Sequence, residues 1–221
     1  YAKGYGVTAP GGSTPVTTGT RFLAGSVSKS VAAMGALRLV EQGKLSLDGD
    51  VNDRLTSWKV PENDHTRVEK VSIRRILSHT GGLTVHGFPG YENSSPIPTT
   101  SQILDGVSPA NTRPVRVDTV PGERWRYSGG GYTVMQLLVD DVTGQPFARW
   151  MQENVLAPLG MTSSTFENPP PPEFAQYAAH GQYADRRPVQ GGWHVYPEMA
   201  AAGLWTTASD LARFAIGVQE S

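Results

Sequence analysis

The sequence predicts an α/β protein of the α+β kind, in which a helical region is inserted into an α/β domain. Helical periodicity clusters between residues 47 and 161, whereas strand-like and loop segments flank that region on both sides. The chain has 221 residues, of which 38% are hydrophobic, which is enough for one domain with a sizeable core. We therefore assign residues 1–46 and 162–221 to the α/β part of a single domain and residues 47–161 to a helical lobe.

Five segments combine an apolar helical face with a recognisable start or stop signal. They are residues 28–42 before Gly43, 73–77 after Ser72, 134–142 before Gly144, 147–155 after Pro146, and 211–215 after a capping box of Thr207 and Asp210. The first of them is apolar on almost every side, which predicts a central and buried helix.

Two further segments lack a helical pattern. Residues 1–7 resemble one strand of a hairpin whose partner is missing, with a turn at Gly11 and Gly12. Residues 84–120 show no periodicity and are rich in Pro, Ser, Thr and Asn. A segment of this length is typical of a binding loop or a lid, and we expect it to shape a substrate pocket together with Trp125.

Composition excludes several classes of function. The net charge is −1 and basic residues form only short pairs, so no nucleic-acid partner is predicted. The absence of cysteine excludes disulfides, thiol nucleophiles and Cys-ligated zinc, and it is compatible with either redox compartment. No apolar run is long enough to cross a bilayer.

Ser26 and Lys29 form the first candidate for chemistry. Ser26 lies at or just before the first turn of the buried helix, and Lys29 is three residues further along, hence on the same face. Burial lowers the pKa of a lysine, and a neutral amine accepts the proton of a serine nucleophile. The positive end of the helix dipole favours an oxyanion at the same place.

A simpler explanation treats Ser26 as a helix cap and Lys29 as a solvated cation, because Ser-x-x-Lys is a loose pattern. The context argues against it. Lys29 leads directly into the most apolar helix of the chain, where an idle cation would be costly.

Tyr127 is the second candidate. It ends an extended stretch after a Pro-Gly turn and precedes the run Ser128-Gly129-Gly130-Gly131, which leads into a helix. A phenol beside a cationic lysine ionises more readily and is able to shuttle protons. The alternative is a buried tyrosine whose hydroxyl has found a structural partner.

Four blocks of sequence, in this order, resemble those of class C β-lactamases, D-alanyl-D-alanine peptidases and the related esterases. They are FLAGSVSKS at 22–30, LSHTGGL at 77–83, PGERWRYS at 121–128 and AGLWTTASDLARF at 202–214. The resemblance covers nearly the whole chain. It implies a β-lactamase/transpeptidase-like fold, with an antiparallel sheet flanked by helices, an inserted all-helical lobe and the site at their junction.

The resemblance implies that Ser26 is the nucleophile, that Lys29 is the general base and that Tyr127 shuttles protons through an acyl-enzyme mechanism. It implies a small-molecule ester, β-lactam or peptide substrate, without a metal or organic cofactor. A D-amino-acid peptidase, or a penicillin-binding sensor that acylates once without turnover, remains an alternative. The periplasm or the cell exterior is favoured over the cytoplasm.

The chain departs from the family pattern in two ways. Gly129 stands where the family often has Asn, which favours an esterase over a β-lactamase or peptidase. A Lys-Thr-Gly or His-x-Gly motif does not follow Phe214. We therefore expect that both ends of the sheet domain are missing, that a second chain or the missing segments complete the sheet, and that residues 1–221 alone neither fold stably nor catalyse.

Other motifs are weaker. His79 lies in a turn and is interpreted as structural, and the remaining four histidines lack metal-ligand spacing. Ser26 is not part of a Gly-x-Ser-x-Gly elbow, and the chain has no Ser-Asp-Asn motif of class A β-lactamases.

Overall fold

A computed structural model of the chain describes residues 1–220. The α-helices are α1 (Ser28–Glu41), α2 (Asp64–Val68), α3 (Ile73–Leu77), α4 (Thr100–Asp105), α5 (Gly129–Thr143), α6 (Phe147–Met151), α7 (Pro172–Ala175), α8 (Met199–Ala202) and α9 (Ala208–Gln219). The strands are β1 (Phe22–Leu23), β2 (Tyr91–Glu92), β3 (His194–Val195) and β4 (Trp205–Thr206). Short 3-10 turns cover Gly25–Val27 and Val51–Asp53, and a π-helical turn follows α6 at Gln152–Leu156.

Helix α5 is the centre of the core. Every residue from Gly129 to Val139 is buried, and the helix packs against α1, α3, α4, α6 and α8. The core also contains an edge-to-face pair, Phe147 and Phe166, with ring centroids 5.2 Å apart. One cluster of buried residues joins the predicted lobe to the predicted α/β part. The boundaries between those two parts stay a prediction.

Side-chain caps and glycines set the helix ends that the sequence predicts. The Ser72 side chain accepts from the Arg75 N–H at the start of α3, and Gly144 ends α5 in the left-handed conformation with φ 69°. Thr207 caps α9 by accepting from the N–H of Asp210. The Asp210 carboxylate, however, does not complete a capping box. It accepts instead from the N–H of Ser163 and from the hydroxyl of Ser164.

The prediction of an unpartnered strand at residues 1–7 is wrong. Val7 forms an antiparallel bridge with Pro15, and the N–H of Val16 donates to the carbonyl of Gly6 at 3.0 Å. The turn at Gly11 therefore closes a short local hairpin, because the two arms lie only a few residues apart.

The segment 84–120 is more regular than its composition predicts. It contains β2 and α4, and α4 begins with a reciprocal capping box between Thr99 and Gln102. Ile103 and Leu104 of this helix are fully buried. The helix is too short for its periodicity to stand out in the sequence.

The antiparallel pairing expected for the sheet is confirmed, although each described strand has two residues. Phe22 pairs with Thr206 and Leu23 with Trp205 in the β1–β4 sheet. Tyr91 pairs with Val195 in the second sheet, β2–β3. Within residues 1–220, no helix combines the length and the apolar character that a membrane span requires. The expectation of further sheet segments or a second chain stays a prediction.

Candidate active site

Ser26 lies in the 3-10 turn between β1 and α1, and it is exposed. Gly25 adopts the left-handed conformation with φ 54°, which turns the chain from the strand into the helix. Two hydrogen bonds to Leu204 fix both sides of this turn. The N–H of Ala24 donates to the carbonyl of Leu204 at 2.8 Å, and the N–H of Leu204 donates to the Ser28 hydroxyl at 2.9 Å.

Lys29 is buried in the first turn of α1, with 6% of its surface exposed. Its Nζ donates to Ser26 Oγ at 3.2 Å and to the carbonyl oxygen of Ala201 at 2.7 Å. Burial lowers the pKa of Lys29, although a hydrogen bond to Tyr127 and the charge of that phenol oppose the shift. The structure thus places an amine with a reduced pKa within hydrogen-bond distance of a serine hydroxyl.

The carbonyl of Ala201 is a part of the site that the sequence did not predict. It belongs to α8, which is held by the side chain of Gln136 from α5. The amide oxygen of Gln136 accepts from the N–H of Ala200 at 3.0 Å, and its nitrogen donates to the carbonyl of Pro197 at 2.9 Å. Gln136 is fully buried. A glutamine on the most apolar stretch of α5 was the available sequence signal.

Tyr127 also lies close to the Lys29 amine. Lys29 Nζ is 4.9 Å from the centroid of the Tyr127 ring. Burial opposes ionisation of the phenol, but hydrogen bonds to Lys29 and Ser26 and the Lys29 charge outweigh it, so the pKa of Tyr127 is lowered. All three residues of the predicted constellation therefore meet at one place.

Two histidines flank the Tyr127 ring. The ring centroid of His79 is 4.4 Å away and that of His86 is 4.8 Å away. His79 Nδ1 accepts from the N–H of Ser128 at 3.1 Å, and the His79 carbonyl accepts from the N–H of Arg126 at 2.7 Å. His79 thus holds the backbone on both sides of Tyr127.

Burial, the Lys29 charge and the charge of His86 lower the pKa of His79, which favours its neutral form. Since Nδ1 is an acceptor, the proton of the neutral ring belongs on Nε2. The structural role expected for His79 therefore has a geometric basis. Sequence reasoning considered His86 only as a metal ligand and missed its contact with Tyr127.

The segment that carries His86 also explains Gly129. The carbonyl of His86 accepts from the N–H of Gly129 at 3.0 Å, and the carbonyl of Val85 accepts from the N–H of Gly130 at the same distance. A Cβ atom on Gly129 would lie 3.0 Å from the His86 carbonyl oxygen and 3.1 Å from the ring of Phe88. The space beside Gly129 is therefore occupied by this segment, and Val85 adopts a left-handed conformation with φ 64° to form it.

The site has the parts that acyl transfer requires. It holds a serine hydroxyl, a lysine amine and a tyrosine phenol within one cluster, and these are group types that can serve as nucleophile, base and proton carrier. The N–H of Ser26 lies in the first turn of a helical segment, where N–H groups lack intrahelical partners, and it supplies one donor for an oxyanion. Residues 1–220 contain no group of three or more His, Cys, Asp or Glu side chains arranged to hold a metal ion.

A comparison with protein families finds that the model of the Beta-lactamase family matches residues 1–221. Among curated proteins, the chain is similar to Esterase EstB of Burkholderia gladioli, with 30% identity over 191 residues. That match covers 82% of this chain and 47% of EstB, so the chain spans about half the length of the curated relatives it matches.

A comparison with solved structures also finds similarity to a hydrolase and to a class C β-lactamase. The fold is similar to that of EstCE1, a hydrolase with promiscuous acyltransferase activity, with a TM-score of 0.75 and 25% identity over 97% of this chain and 62% of EstCE1. It is also similar to that of a class C β-lactamase, with a TM-score of 0.71 and 26% identity over 95% of this chain and 53% of that enzyme. The β-lactamase/transpeptidase-like fold expected from the sequence is therefore confirmed.

Proposed function

This chain belongs to the β-lactamase family, and we propose that the protein is a serine hydrolase that cleaves ester or amide bonds through an acyl-enzyme at Ser26. The observation that carries the proposal is the hydrogen bond of 3.2 Å between Ser26 Oγ and Nζ of the buried Lys29. A buried lysine with no chemical task would be a liability for stability. Its place beside an exposed serine gives it a task.

In the acylation step, neutral Lys29 accepts the proton of Ser26 while Oγ attacks the carbonyl carbon of the substrate. The resulting oxyanion is stabilised by the N–H of Ser26. The bond to the leaving group then breaks, and Tyr127 passes the proton from Lys29 to the departing oxygen or nitrogen. The products of this step are a free alcohol or amine and an ester between Ser26 and the acyl group.

In the deacylation step, a water molecule attacks the acyl-enzyme. The Tyr127 phenol has a lowered pKa, and in its ionised form it accepts a proton from the water. The acid is released, and the proton returns to Ser26 through Lys29. The ability of Tyr127 to act in both steps supports a turning-over enzyme rather than a sensor that acylates once.

We propose that esters are better substrates than β-lactams or peptides. Position 129 offers no amide side chain to bind the acylamide of those substrates. The space for one is also narrow, because a Cβ atom at Gly129 would lie 3.0 Å from the carbonyl oxygen of His86 and 3.1 Å from the ring of Phe88. The similarity to EstB, which is named as an esterase, agrees with this preference.

The proposal is tested by incubating the full-length protein with a fluorophosphonate and mapping the adduct by mass spectrometry. We expect a single adduct at Ser26 and its loss in Ser26→Ala. Ser30→Ala is the matched control, since Ser30 is an exposed serine of the same helix. An adduct at another residue, or none with any acylating probe, would show that the proposal is wrong.

A substrate screen then separates the alternatives. Continuous release of acid from short-chain p-nitrophenyl esters identifies an esterase, whereas one stoichiometric burst identifies a sensor. Faster hydrolysis of a cephalosporin or a D-alanyl-D-alanine peptide than of every ester would overturn the proposed ester preference.

A further inference from the structure

Glu198 carries a buried carboxyl group that the proposed mechanism does not use. The residue directly precedes α8, and none of its surface is exposed to solvent. Neither of its carboxyl oxygens makes a hydrogen bond within residues 1–220. Folded proteins nearly always pair such groups, because a buried polar group without a partner is costly and a buried charge without one is more so. A carboxyl group in this place is therefore tolerated best in its neutral form.

Two phenols are the ionisable neighbours of this carboxyl group. Burial, together with the charge of Glu198, raises the pKa of both Tyr91 and Tyr196. The Tyr91 hydroxyl accepts from the N–H of Asn111 at 3.2 Å, and it approaches Glu198 without completing a hydrogen bond. No lysine, arginine or histidine of the described chain is among the groups that act on Glu198. The ionised form of Glu198 therefore has no cation to compensate it.

The protonation state of Glu198 changes within the neutral pH range. Burial raises its pKa to about 7, although its own N–H and the Tyr91 hydroxyl partly oppose the shift. The side chain is thus mostly neutral at pH 6 and mostly ionised at pH 8.5. The change places an uncompensated charge at the start of α8, inside the protein.

The backbone of Glu198 begins the helix that binds Lys29. The Glu198 carbonyl oxygen accepts from the N–H groups of Ala201 and Ala202, each at 3.0 Å. The Ala201 carbonyl in turn accepts from Lys29 Nζ at 2.7 Å. Two successive hydrogen bonds therefore connect Glu198 to the amine that the proposed mechanism uses as its base.

The start of α8 depends on contacts with its surroundings. The helix has four residues, and a helix this short is not stable by itself. The side chain of Gln136 binds the peptides on both sides of Glu198, since it donates to the carbonyl of Pro197 at 2.9 Å and accepts from the N–H of Ala200 at 3.0 Å. A shift of Glu198 therefore disturbs the same peptides that Gln136 holds, and with them Ala201.

We infer that Glu198 is a positioning residue for the proposed reaction, and that it holds the start of α8 so that the Ala201 carbonyl keeps the Lys29 amine beside Ser26. This inference rests on the proposed function. The neutral side chain fills its buried site, whereas the ionised side chain favours a local opening in which the charge reaches solvent and the start of α8 shifts. The Ala201 carbonyl then moves relative to Lys29, and a small displacement of a catalytic group lowers the rate.

The kinetic test compares the full-length protein with its Glu198→Gln variant, whose side chain has nearly the same shape and stays neutral at every pH. The kcat for p-nitrophenyl acetate is expressed as a ratio of variant to unmodified protein, so that the titration of Lys29 affects both terms. We expect a ratio near one at pH 6 and a ratio of about three to ten at pH 8.5, with KM unchanged. A ratio that is the same at both pH values, or a change confined to KM, would overturn the inference.

Asp140→Asn is the matched control. Burial also raises the pKa of Asp140 to about 7, but Asp140 lies in α5 and its backbone partner is Phe147 at the start of α6. Its kcat ratio should stay near one at both pH values, and an equal rise in this variant would overturn the inference. Glu198→Ala, which removes the side chain that holds α8, should lower kcat at pH 6 as well. A kcat equal to that of Glu198→Gln at both pH values would mean that the side chain has no positioning role.

Hydrogen exchange separates this inference from the proposed function, because it needs no turnover. The amides of Ala201 and Ala202 should exchange faster in the unmodified full-length protein than in Glu198→Gln at pH 8.5, and at equal rates in both proteins at pH 6. This difference, without hydrolysis of any ester and without labelling of Ser26 by a fluorophosphonate, would contradict the proposed function and support the coupling of Glu198 to α8. Hydrolysis of the acetate together with equal exchange in both proteins at both pH values would contradict the inference alone.

Discussion

The two sides of Ser26 are built differently. On one side, α1, α5 and α8 bury Lys29 and the carbonyl of Ala201 that it binds, next to the continuous core. On the other side, β1 and β4 have two residues each, and the neighbouring residues 177–196 are joined by isolated bridges such as that between Gln182 and Pro188. The reacting groups therefore rest on packed helices, which hold geometry well, whereas the other side consists largely of loops, which vary more easily.

The largest expected effect is on the helical side, at Lys29. Lys29→Met removes the amine and keeps an unbranched side chain in the same space. We expect the hydrolysis rate to fall at least about 10²- to 10⁴-fold, because the general base is lost. The free energy of unfolding should stay the same or rise by about 1–4 kcal/mol, since an apolar group replaces a buried ionisable one.

Steady-state kinetics and denaturant unfolding measure the two effects. Lys70→Met is the matched control, because the Lys70 side chain is 45% exposed and pairs with Glu62 at 3.3 Å. Loss of stability in Lys29→Met together with retained activity would mean that Lys29 has a structural role only.

The contrast between the two sides also predicts that a substitution on the helical side costs more stability than one on the loop side. Phe147 is fully buried and contacts Phe166 in the core, so Phe147→Ala should lower the free energy of unfolding by about 3–5 kcal/mol. Tyr183 lies on the loop side with 38% of its surface exposed, and Tyr183→Ala should cost less than about 1 kcal/mol. Urea titration of both variants checks the difference. Equal losses would show that the loop side is as well packed as the helical side.

Tyr127→Phe tests how the two ionisable groups are coupled. The ring stays between His79 and His86, but the hydroxyl is lost, and the rate should fall about 10²-fold. The Tyr127 phenol raises the pKa of Lys29 against the effect of burial. Its removal should therefore lower the pKa of Lys29 further.

The measurement is the pH dependence of kcat/KM. Activity requires neutral Lys29, so it should rise with pH through the pKa of this residue. In Tyr127→Phe that rise should occur at lower pH than in the unmodified protein. A profile that falls in amplitude without moving, or that moves to higher pH, would contradict the coupling of Tyr127 to Lys29.

The smallest expected effect is on the pH dependence of stability, and it comes from a second buried ionisable group, Glu198. Glu198 precedes α8 and is fully buried, and burial raises its pKa to about 7. In the unfolded chain its pKa is about 4.3. Between these two pKa values, Glu198 is protonated in the folded protein and ionised in the unfolded chain. The stability that Glu198 contributes below about pH 4.3 is therefore lost as pH rises towards 7.

Glu198→Gln removes that charge without a large change in shape. We expect the variant to gain about 1–3 kcal/mol over the unmodified protein at pH 8 and nothing at pH 4. Asp140, whose pKa burial also raises to about 7, contributes to the same pH window, so part of the slope should remain. Unfolding measured across this range checks the difference. A gain that is equal at both pH values would contradict the assigned protonation.

Local features of the site were predictable because they depend on short spacings. A separation of three residues at a helix start brings Ser26 and Lys29 together whatever the rest of the chain does. The caps at Ser72 and Thr207 and the stop at Gly144 follow from the same local rules. The role of Tyr127 came from the family resemblance, and the structure supplied its contact with Lys29.

Tertiary structure decided the groups that surround this local pair. Lys29 binds the carbonyl of Ala201, which is 172 residues away, and no spacing in the sequence specifies a partner at that distance. The fit of Gly129 against His86 depends on how the segment after His79 folds back onto α5. Leu23 likewise meets Trp205 only because β1 pairs with β4. Periodicity and capping express interactions within a few residues, whereas such contacts form only when separate elements pack into one core.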